Sequence, residues 1–415
     1  YLVILAFALL GAPIFAVMSL FAMAAFYFAQ IEISAVAIEI YRMAQAPTLL
    51  TIPLFTFAGY LLAESKSPGR LLRLAHAWIG WLPGGVAIVS LIVCAFFTAF
   101  TGASGVTIIA LGGLLYPMLL KEKYSEKFSL GLITTSGSLG LLFPPSLPII
   151  LYGIVAKVNI NELFLAGILP GILLIVVLAG WSIVNGKRNF KATKTAFSKR
   201  EALSSLWAAR FELPLPFIVL GGIYGGFITV TEAAAITAFY ALITVCFLYK
   251  DVNLKKDLPR IIGESMTLVG AILLILACAL GLTNYLVDEE IPMQILEAMQ
   301  TFITNKYMFL LCLNIFLLIV GSLMDIFSAI IVVVPLILPI AAQFNIHPAH
   351  LAIIFLANLE IGYITPPVGI NLFISSFRFK KPVLSLYRAS LPFLFLLLGA
   401  LMLITYVPWL SLAWL

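Results

Sequence analysis

Apolar residues run through this chain in long blocks separated by short polar clusters. The pattern is neither the 3.6-residue stripe of a surface helix nor the alternation of a half-buried strand. The blocks at 2–29, 163–184, 231–248, 261–286 and 390–407 meet or approach the roughly 20 residues that carry a helix across about 30 Å of hydrocarbon. Most are free of strong charge; the block from 261 holds Glu264 near its start. The first block is too long for the apolar core of a secretory signal and lacks a small-residue cleavage site, so it reads as a span. Because the chain starts at Tyr1 rather than Met, a preceding segment is expected.

Two stretches break this pattern in the same way. In the first, an apolar arm (88–100) meets the tip Thr101-Gly-Ala-Ser-Gly105, and a second arm (106–120) returns. A block from 128 to 152 follows, interrupted at Ser136-Gly-Ser-Leu-Gly140 and at Pro144-Pro145. In the second, an arm (308–320) meets Gly321-Ser-Leu-Met-Asp325, a return arm covers 326–341, and the block from 351 breaks at Gly362 and at Pro366-Pro367. The Pro-Pro pairs lie 222 residues apart (144 to 366) and the tip glycines 219 apart (102 to 321). Counted by their apolar residues, the arms are about 13–15 long, too short to span. They are expected to form two re-entrant helical hairpins, each followed by a broken transmembrane helix.

Composition and charge set the solvent and the orientation. Of 415 residues, 63% are hydrophobic and 10% charged, against about 25% charged in a soluble domain, so lipid is the main solvent. The segment 186–212 carries seven basic residues against Glu201 and Glu212, which places it in the cytoplasm. Spans at about 213–229 and 231–249 then return the chain to a second basic, cytoplasmic loop at 250–260, and Asp288, Glu289 and Glu290 fall outside. Lys121, Lys123 and Lys127, and the loop Arg378 to Lys381, fall inside. The two hairpins therefore enter from opposite faces, which makes the repeat inverted. The net charge of +6 lies in these loops and signals no nucleic-acid partner. Cys94, Cys246, Cys278 and Cys312 have no paired spacing and read as small apolar residues. His76 reads as interfacial, and His347 and His350 as solvated loop residues. No P-loop suggests ATP. Neither a convergent nucleophile and base nor a metal constellation suggests an enzyme.

Helices broken by Gly and Pro at corresponding positions of two halves point to a transporter's binding site. Two consecutive prolines force unwinding, and unwound backbone survives in a membrane only where it is buried or lines a wet cavity. Freed carbonyls suit a small cation, and helix N-termini suit a carboxylate. Hard oxygen ligands favour an alkali or alkaline-earth ion. The cation candidates are Gly102, Ser104 and Gly105 with Ser136 and Gly137, and Gly321, Ser322 and Asp325 with Gly362 and Thr365. Asp325 is the sharpest, because ionisable groups at membrane depth are functional by default; the alternative is that it caps the return arm. Ser104 and Ser322 have the same alternative. The substrate-facing candidates are Ser138, Pro144, Pro145, Pro366, Pro367 and Asn371, with inter-helix glue as the other reading of Asn371. Glu360 reads as site support or as a buried hydrogen-bonding partner.

The segments GSLGLLFPPSLPIILYG (137–153), GGFITVTEAAAITAFYAL (225–242), GSLMDIFSAIIVVVPLILPIA (321–341) and NLEIGYITPPVGINLF (358–373) resemble the large membrane subunit of tripartite ATP-independent periplasmic transporters. The resemblance covers nearly the whole chain; one departure is Val230, where proline is expected before Thr231-Glu232. It implies an all-α integral membrane protein of the bacterial inner membrane, an inverted-repeat elevator-type transporter. It implies sodium ions as the coupling species, and small organic anions such as C4-dicarboxylates, sialic acids or 2-oxo acids as substrates. It also implies two partners: a small membrane subunit of about four spans (the Q subunit) and a periplasmic substrate-binding protein. The expected division is scaffold helices and a cytoplasmic arm over 1–87, the first transport repeat and a following span over 88–184, a basic loop and scaffold spans over 185–260, an arm and the second repeat over 261–377, and a last span over 378–415. Lys66, Arg70 and Arg73 open the cytoplasmic arm, and 287–306 is its outer counterpart. The alternative is a stand-alone sodium–carboxylate symporter that needs no binding protein.

Overall fold

The computed structural model describes residues 12–30, 45–187, 197–291 and 305–415, with isolated positions between them. The start of the first apolar block, Arg188, Lys191 and Lys194 of the basic loop, and most of the expected outer arm lie outside the described residues. Among those described there is no strand, and eight helices are long and apolar enough to cross a membrane.

Helices α1 (Ile14–Phe28), α2 (Thr51–Glu64) and α3 (Ser67–Ile79) lead into the first repeat. Its arms, α4 (Gly85–Thr101) and α5 (Ser104–Lys121), are joined by Gly102 and Ala103 alone. Helix α6 (Glu126–Ser136), a 3-10 turn (Leu139–Leu142) and α7 (Leu147–Ala156) then form a helix bent by 44° at its break. Next come α8 (Ile160–Lys187), α9 (Lys199–Ala208), α10 (Pro214–Tyr224), α11 (Val230–Leu242), which runs on as a π-turn (Ile243–Leu248), and α12 (Asp257–Asp288). The second repeat has arms α13 (Lys306–Leu323) and α14 (Ile326–Gln343), joined by Met324 and Asp325. Its broken helix is α15 (Pro348–Gly362) and α16 (Ile370–Phe379). Helix α17 (Val383–Tyr406) and the short α18 (Trp409–Leu412) close the chain.

Three expectations are corrected. The arms are 17 or 18 residues long, not 13–15, because helix continues past the apolar run into capped ends such as Asn305, whose side chain accepts from Met308 N. Three of the four are therefore long enough to cross, and length alone no longer marks them as re-entrant. The span expected at 213–229 is an 11-residue helix, ended by Gly225 and by Gly226 at φ +71°. His350 is not solvated: it is 1% exposed, with ring nitrogens 3.2 Å from both Ser411 Oγ and the Thr405 carbonyl.

Val230 occupies the first position of α11, where proline is commonest. A capping box compensates: Thr229 accepts from Glu232 N, and the Glu232 carboxylate accepts from Thr229 N at 2.7 Å. Two donors that the helix start would leave unpaired are thereby satisfied.

The centre of the molecule is α15, buried from Ala349 to Gly362 and packed by α8, α13 and α17. A helix that is apolar on every face belongs in a core. Two of its polar residues are tied into the packing. Asn358 Nδ2 donates to Asn314 Oδ1 on α13 at 2.6 Å, and Asn314 Nδ2 donates to Thr405 Oγ1 on α17 at 3.0 Å. His350 reaches the same carboxyl end of α17.

Candidate functional site

Each broken helix meets the first arm of its own hairpin at a glycine. A Cβ on Gly140 would lie 2.2 Å from the Ala95 carbonyl oxygen and 2.4 Å from Ala99 N on α4. A Cβ on Gly362 would lie 2.6 Å from both C and Cα of Gly321 on α13. Gly140 and Gly362 are separated by the same 222 positions as the Pro-Pro pairs, and so are Ala99 and Gly321. The contact is thus built twice, once in each half. It also reassigns Gly321, which is the close-approach residue of the last turn of α13 and not the turn at the tip. The tip consists of Met324 and Asp325.

The two halves meet where their breaks cross. Ser138 Oγ donates to the Glu360 carbonyl at 3.5 Å, and these two residues are again 222 apart. An equivalent pair in contact marks the position of the pseudo-twofold axis relating the repeats. Beside it, Ser104 Oγ at the first tip donates to Asn371 Oδ1 at 2.7 Å. Asn371 Nδ2 donates to the Thr134 carbonyl at 3.2 Å, and Thr134 Oγ1 donates to Ser375 Oγ at 2.9 Å. One hairpin tip and both broken helices are therefore tied into one buried polar cluster. Both readings of Asn371 remain compatible with this position, since it joins helices and sits at the junction.

Around the first tip, Gly102 adopts φ +65° and a Cβ there would strike the Leu147 side chain at 2.5 Å. Thr98 Oγ1 donates to the Gly137 carbonyl at 2.7 Å and lies 2.8 Å from Thr107 Oγ1. Ser136 turns back to the Ile133 carbonyl. Gly105 faces Ile374 of α16, so the first tip touches both halves. Thr98 and Thr134 are absent from the candidates read from the sequence. A threonine in an apolar helix carries no signal until its partner is known.

At the second tip Asp325 is the N-cap of α14. Its Oδ1 accepts from Phe327 N at 3.0 Å and Ser328 N at 3.1 Å, and Oδ2 accepts from Ser328 Oγ. The capping role is therefore built, and the half-buried carboxylate retains lone pairs for a further partner. Tyr363 OH accepts from Ile326 N at 2.7 Å, and Gly369 N donates to the Ser322 carbonyl at 3.1 Å, tying this tip to the second break. Ser322 Oγ donates to the Ile319 carbonyl and Thr365 Oγ1 to the Ile361 carbonyl, each at 2.8 Å. The Pro144-Pro145 and Pro366-Pro367 bonds are cis. The first pair is buried and the second exposed. Glu360 is 1% exposed, and neither carboxylate oxygen has a hydrogen-bond partner among the described residues.

No three His, Cys, Asp or Glu side chains cluster as a metal site among the described residues. The oxygens at the two junctions are instead hydroxyls, carbonyls and one carboxylate, a donor set suited to a hard alkali or alkaline-earth cation. A cavity of about 760 Å³ opens between α2, α5 and the start of α12, lined by Tyr60, Glu64, Val106, Ile109, Arg260 and Glu264 among others. Arg260 bridges Glu64 at 2.7 Å and Glu264 at 3.1 Å there. Beyond it Gly59 of α2 lies against the first tip, where a Cβ would meet the Phe100 carbonyl oxygen at 2.3 Å.

Residues 1–410 match the family model described as tripartite ATP-independent periplasmic transporter, DctM component. The C4-dicarboxylate TRAP transporter large permease protein DctM of Pseudomonas aeruginosa is 36% identical over 92% of this chain and 89% of its own length. The isethionate TRAP transporter permease protein DctMQ of Oleidesulfovibrio alaskensis is 36% identical over 87% of this chain, which spans only 57% of that longer protein. Among solved structures, the Alcanivorax borkumensis YdaH transporter superposes with a TM-score of 0.63 at 14% identity, covering 92% of this chain and 88% of that one. At that identity the likeness concerns the fold.

Proposed function

The chain belongs to the DctM family of tripartite ATP-independent periplasmic transporters, and we propose that it is the permease subunit of a sodium-coupled carrier importing small organic anions. With eight helices among the described residues long and apolar enough to cross a membrane and this membership, it is a multi-pass protein of the bacterial inner membrane. The observation that carries the proposal is the cluster Ser104, Asn371, Thr134 and Ser375 beside the Ser138–Glu360 contact. It joins one hairpin tip and both broken helices beside the axis between the repeats, the interface at which a transporter's substrate site is expected. The sodium ions would take oxygens of Gly102, Ser104 and Gly105 with Ser136 and Gly137 at the first junction, and of Gly321, Ser322 and Asp325, its carboxylate included, with Gly362 and Thr365 at the second. The anion would lie between the breaks, near Ser138, the two Pro-Pro pairs and Asn371. Relatives named for a dicarboxylate and for isethionate support an anion class rather than one molecule.

The body made of both hairpins and both broken helices would move as an elevator against α2 and α12, with Gly59 as a close sliding contact. The double designation DctMQ of the longer relative supports a small membrane subunit of about four spans as partner. The family description supports a periplasmic substrate-binding protein. The test is uptake of radiolabelled dicarboxylate and isethionate into proteoliposomes holding the chain and its small subunit, with and without a sodium gradient and the binding protein. Uptake that needs both, and falls about tenfold in Asn371→Ala through loss of two buried hydrogen bonds, agrees with the proposal. Sodium-driven uptake without the binding protein points to the stand-alone symporter, and sodium-independent uptake ends the coupling scheme.

A further inference from the structure

A second cavity, of about 530 Å³, lies between α3, α4 and the segment from Leu206 to Phe217. Its volume is that of a small-molecule site, about 300–1,000 Å³, but its walls are apolar: Leu74, Trp78, Val93, Phe96, Leu213 and Phe217 are representative. The single charged side chain on it, Glu212, is occupied by Arg70, by Ser67 Oγ at 2.9 Å and by Tyr249 OH at 2.9 Å. The cavity thus offers no free charge to a polar ligand. Its rim is exposed and aromatic, with Trp78 at 48% and Phe217 at 76%. Trp81 donates its indole N–H to the Trp78 carbonyl and packs edge-on against Phe197. Amphipathic aromatic rings of this kind gather at the membrane–water interface.

The charge beside the groove says what covers it. Helix α9 packs on α3, and Lys199, Arg200 and Arg210 are exposed. Among the described residues none of the three is in an ion pair, whereas Arg73 on α3 is neutralised by Glu201 at 2.6 Å. Arg210 is held over the Trp207 ring at 4.6 Å. Apolar slot, interfacial tryptophans and unpaired cations occur together on the face that the excess of basic residues places in the cytoplasm. A neighbouring protein helix would need the slot but not the cations. We propose that the groove is a binding site for an anionic phospholipid, with an acyl chain between α3, α4 and α10 and the headgroup on Lys199, Arg200 and Arg210. The inference rests on the membrane location and not on the transport reading.

The experiment uses the full chain with its small subunit in phosphatidylcholine nanodiscs, with Trp78 as the only tryptophan of the chain (the other five replaced by Phe). Brominated phosphatidylglycerol or brominated phosphatidylcholine is added at increasing mole fraction and Trp78 fluorescence is read. The expected result is half-quenching by the glycerol lipid at a severalfold lower fraction than by the choline lipid. The double variant Arg200→Gln/Arg210→Gln should abolish that preference, since each cation removed is worth about fivefold. Equal quenching by the two lipids, or a preference unchanged in the double variant, overturns the site. Absence of quenching by either also overturns it, since protein then covers the slot. A chain retaining only Trp207 repeats the measurement from the headgroup side should the first variant not fold.

Discussion

Replacing Gly362 by alanine tests the packing on which the broken-helix site depends. The new Cβ would stand 2.6 Å from Gly321 C and Cα and 3.0 Å from its carbonyl oxygen. Favourable carbon–carbon separation is about 3.5–4.0 Å, so α13 and α15 must part by about 1 Å. No side chain can swing aside, because the atoms struck are backbone. Overpacking of this kind costs about 1–3 kcal/mol, set against a gain of up to about 1 kcal/mol in helix propensity for Gly→Ala. Gly180→Ala is the control: it lies in α8 with nothing within 4 Å of the added carbon. Heating the purified complex in one detergent and following the folded fraction by gel filtration should give a lower apparent Tm for Gly362→Ala and an equal or higher one for Gly180→Ala. Gly140→Ala, its equivalent in the first half, should behave as Gly362→Ala does. If Gly362→Ala and Gly180→Ala melt together, the close crossing of α13 and α15 is wrong, and so is the duplicated contact derived from it.

Three further substitutions separate roles that the geometry superimposes. Asn is as good a helix N-cap as Asp, so Asp325→Asn should keep stability but raise the sodium concentration for half-maximal uptake severalfold, whereas Asp325→Ala should lose about 1 kcal/mol of stability as well; identical sodium titrations for wild type and Asp325→Asn would leave Asp325 as a cap alone. Gly59→Val places a branched side chain where even a Cβ meets the Phe100 carbonyl oxygen at 2.3 Å; it should slow uptake and deplete the conformation described, read by double electron–electron resonance between α2 and α5, and an unchanged distance distribution would refute the sliding contact. Arg70 is clamped by Glu212 at 2.5 Å and Asp251 at 2.7 Å and lies 3.7 Å over the Tyr249 ring; burial pulls its pKa down, but the bonds to Asp251 and Glu212 outweigh this and hold it above its usual value. Arg70→Met strands two carboxylates that are 3% and 5% exposed and should cost about 3–5 kcal/mol, seen as a fall in apparent Tm that Arg70→Lys only partly restores.

Much of this architecture is legible in the sequence because the signals are local. Pro-Pro and Gly pairs mark unwound backbone wherever they occur in an apolar run, and their recurrence at one spacing reveals the duplication. Asp325 is legible twice over, as a charge at membrane depth and as a cap before an apolar run, and the cap is observed. What stays hidden depends on approach distances between segments far apart in sequence. The tip glycines 102 and 321 correspond in order along the chain, but they do different jobs: Gly102 supplies a left-handed turn, while Gly321 supplies room for Gly362. His350 reads as a loop residue because Pro348 precedes it, yet Pro348 starts α15 and carries His350 inside, onto Ser411 and Thr405. The arms read as too short because hydropathy stops where apolar residues stop, whereas a helix continues to its cap.

The duplicated halves are not in equivalent surroundings, and the difference can be measured. Ser146 and Val368 occupy equivalent positions 222 residues apart, each just after a Pro-Pro pair. Ser146 is 0% exposed, its hydroxyl donating to the Leu141 carbonyl at 2.5 Å, whereas Val368 is half-buried beside two exposed prolines. Across an inverted repeat, a body that moves between two faces must exchange these environments, because what shields one break in one state shields the other in the next. With the four native cysteines replaced by Ala, Val368→Cys should react with a small maleimide in the conformation described and Ser146→Cys should not. Adding the coupling ion, the anion and the binding protein together should slow the first and expose the second. Rates that change in the same direction at both positions would mean general loosening instead of exchange. Rates that do not change at either would mean that the asymmetry is a fixed property of the two halves, and the elevator movement would have to be given up while the duplicated glycine contacts remained.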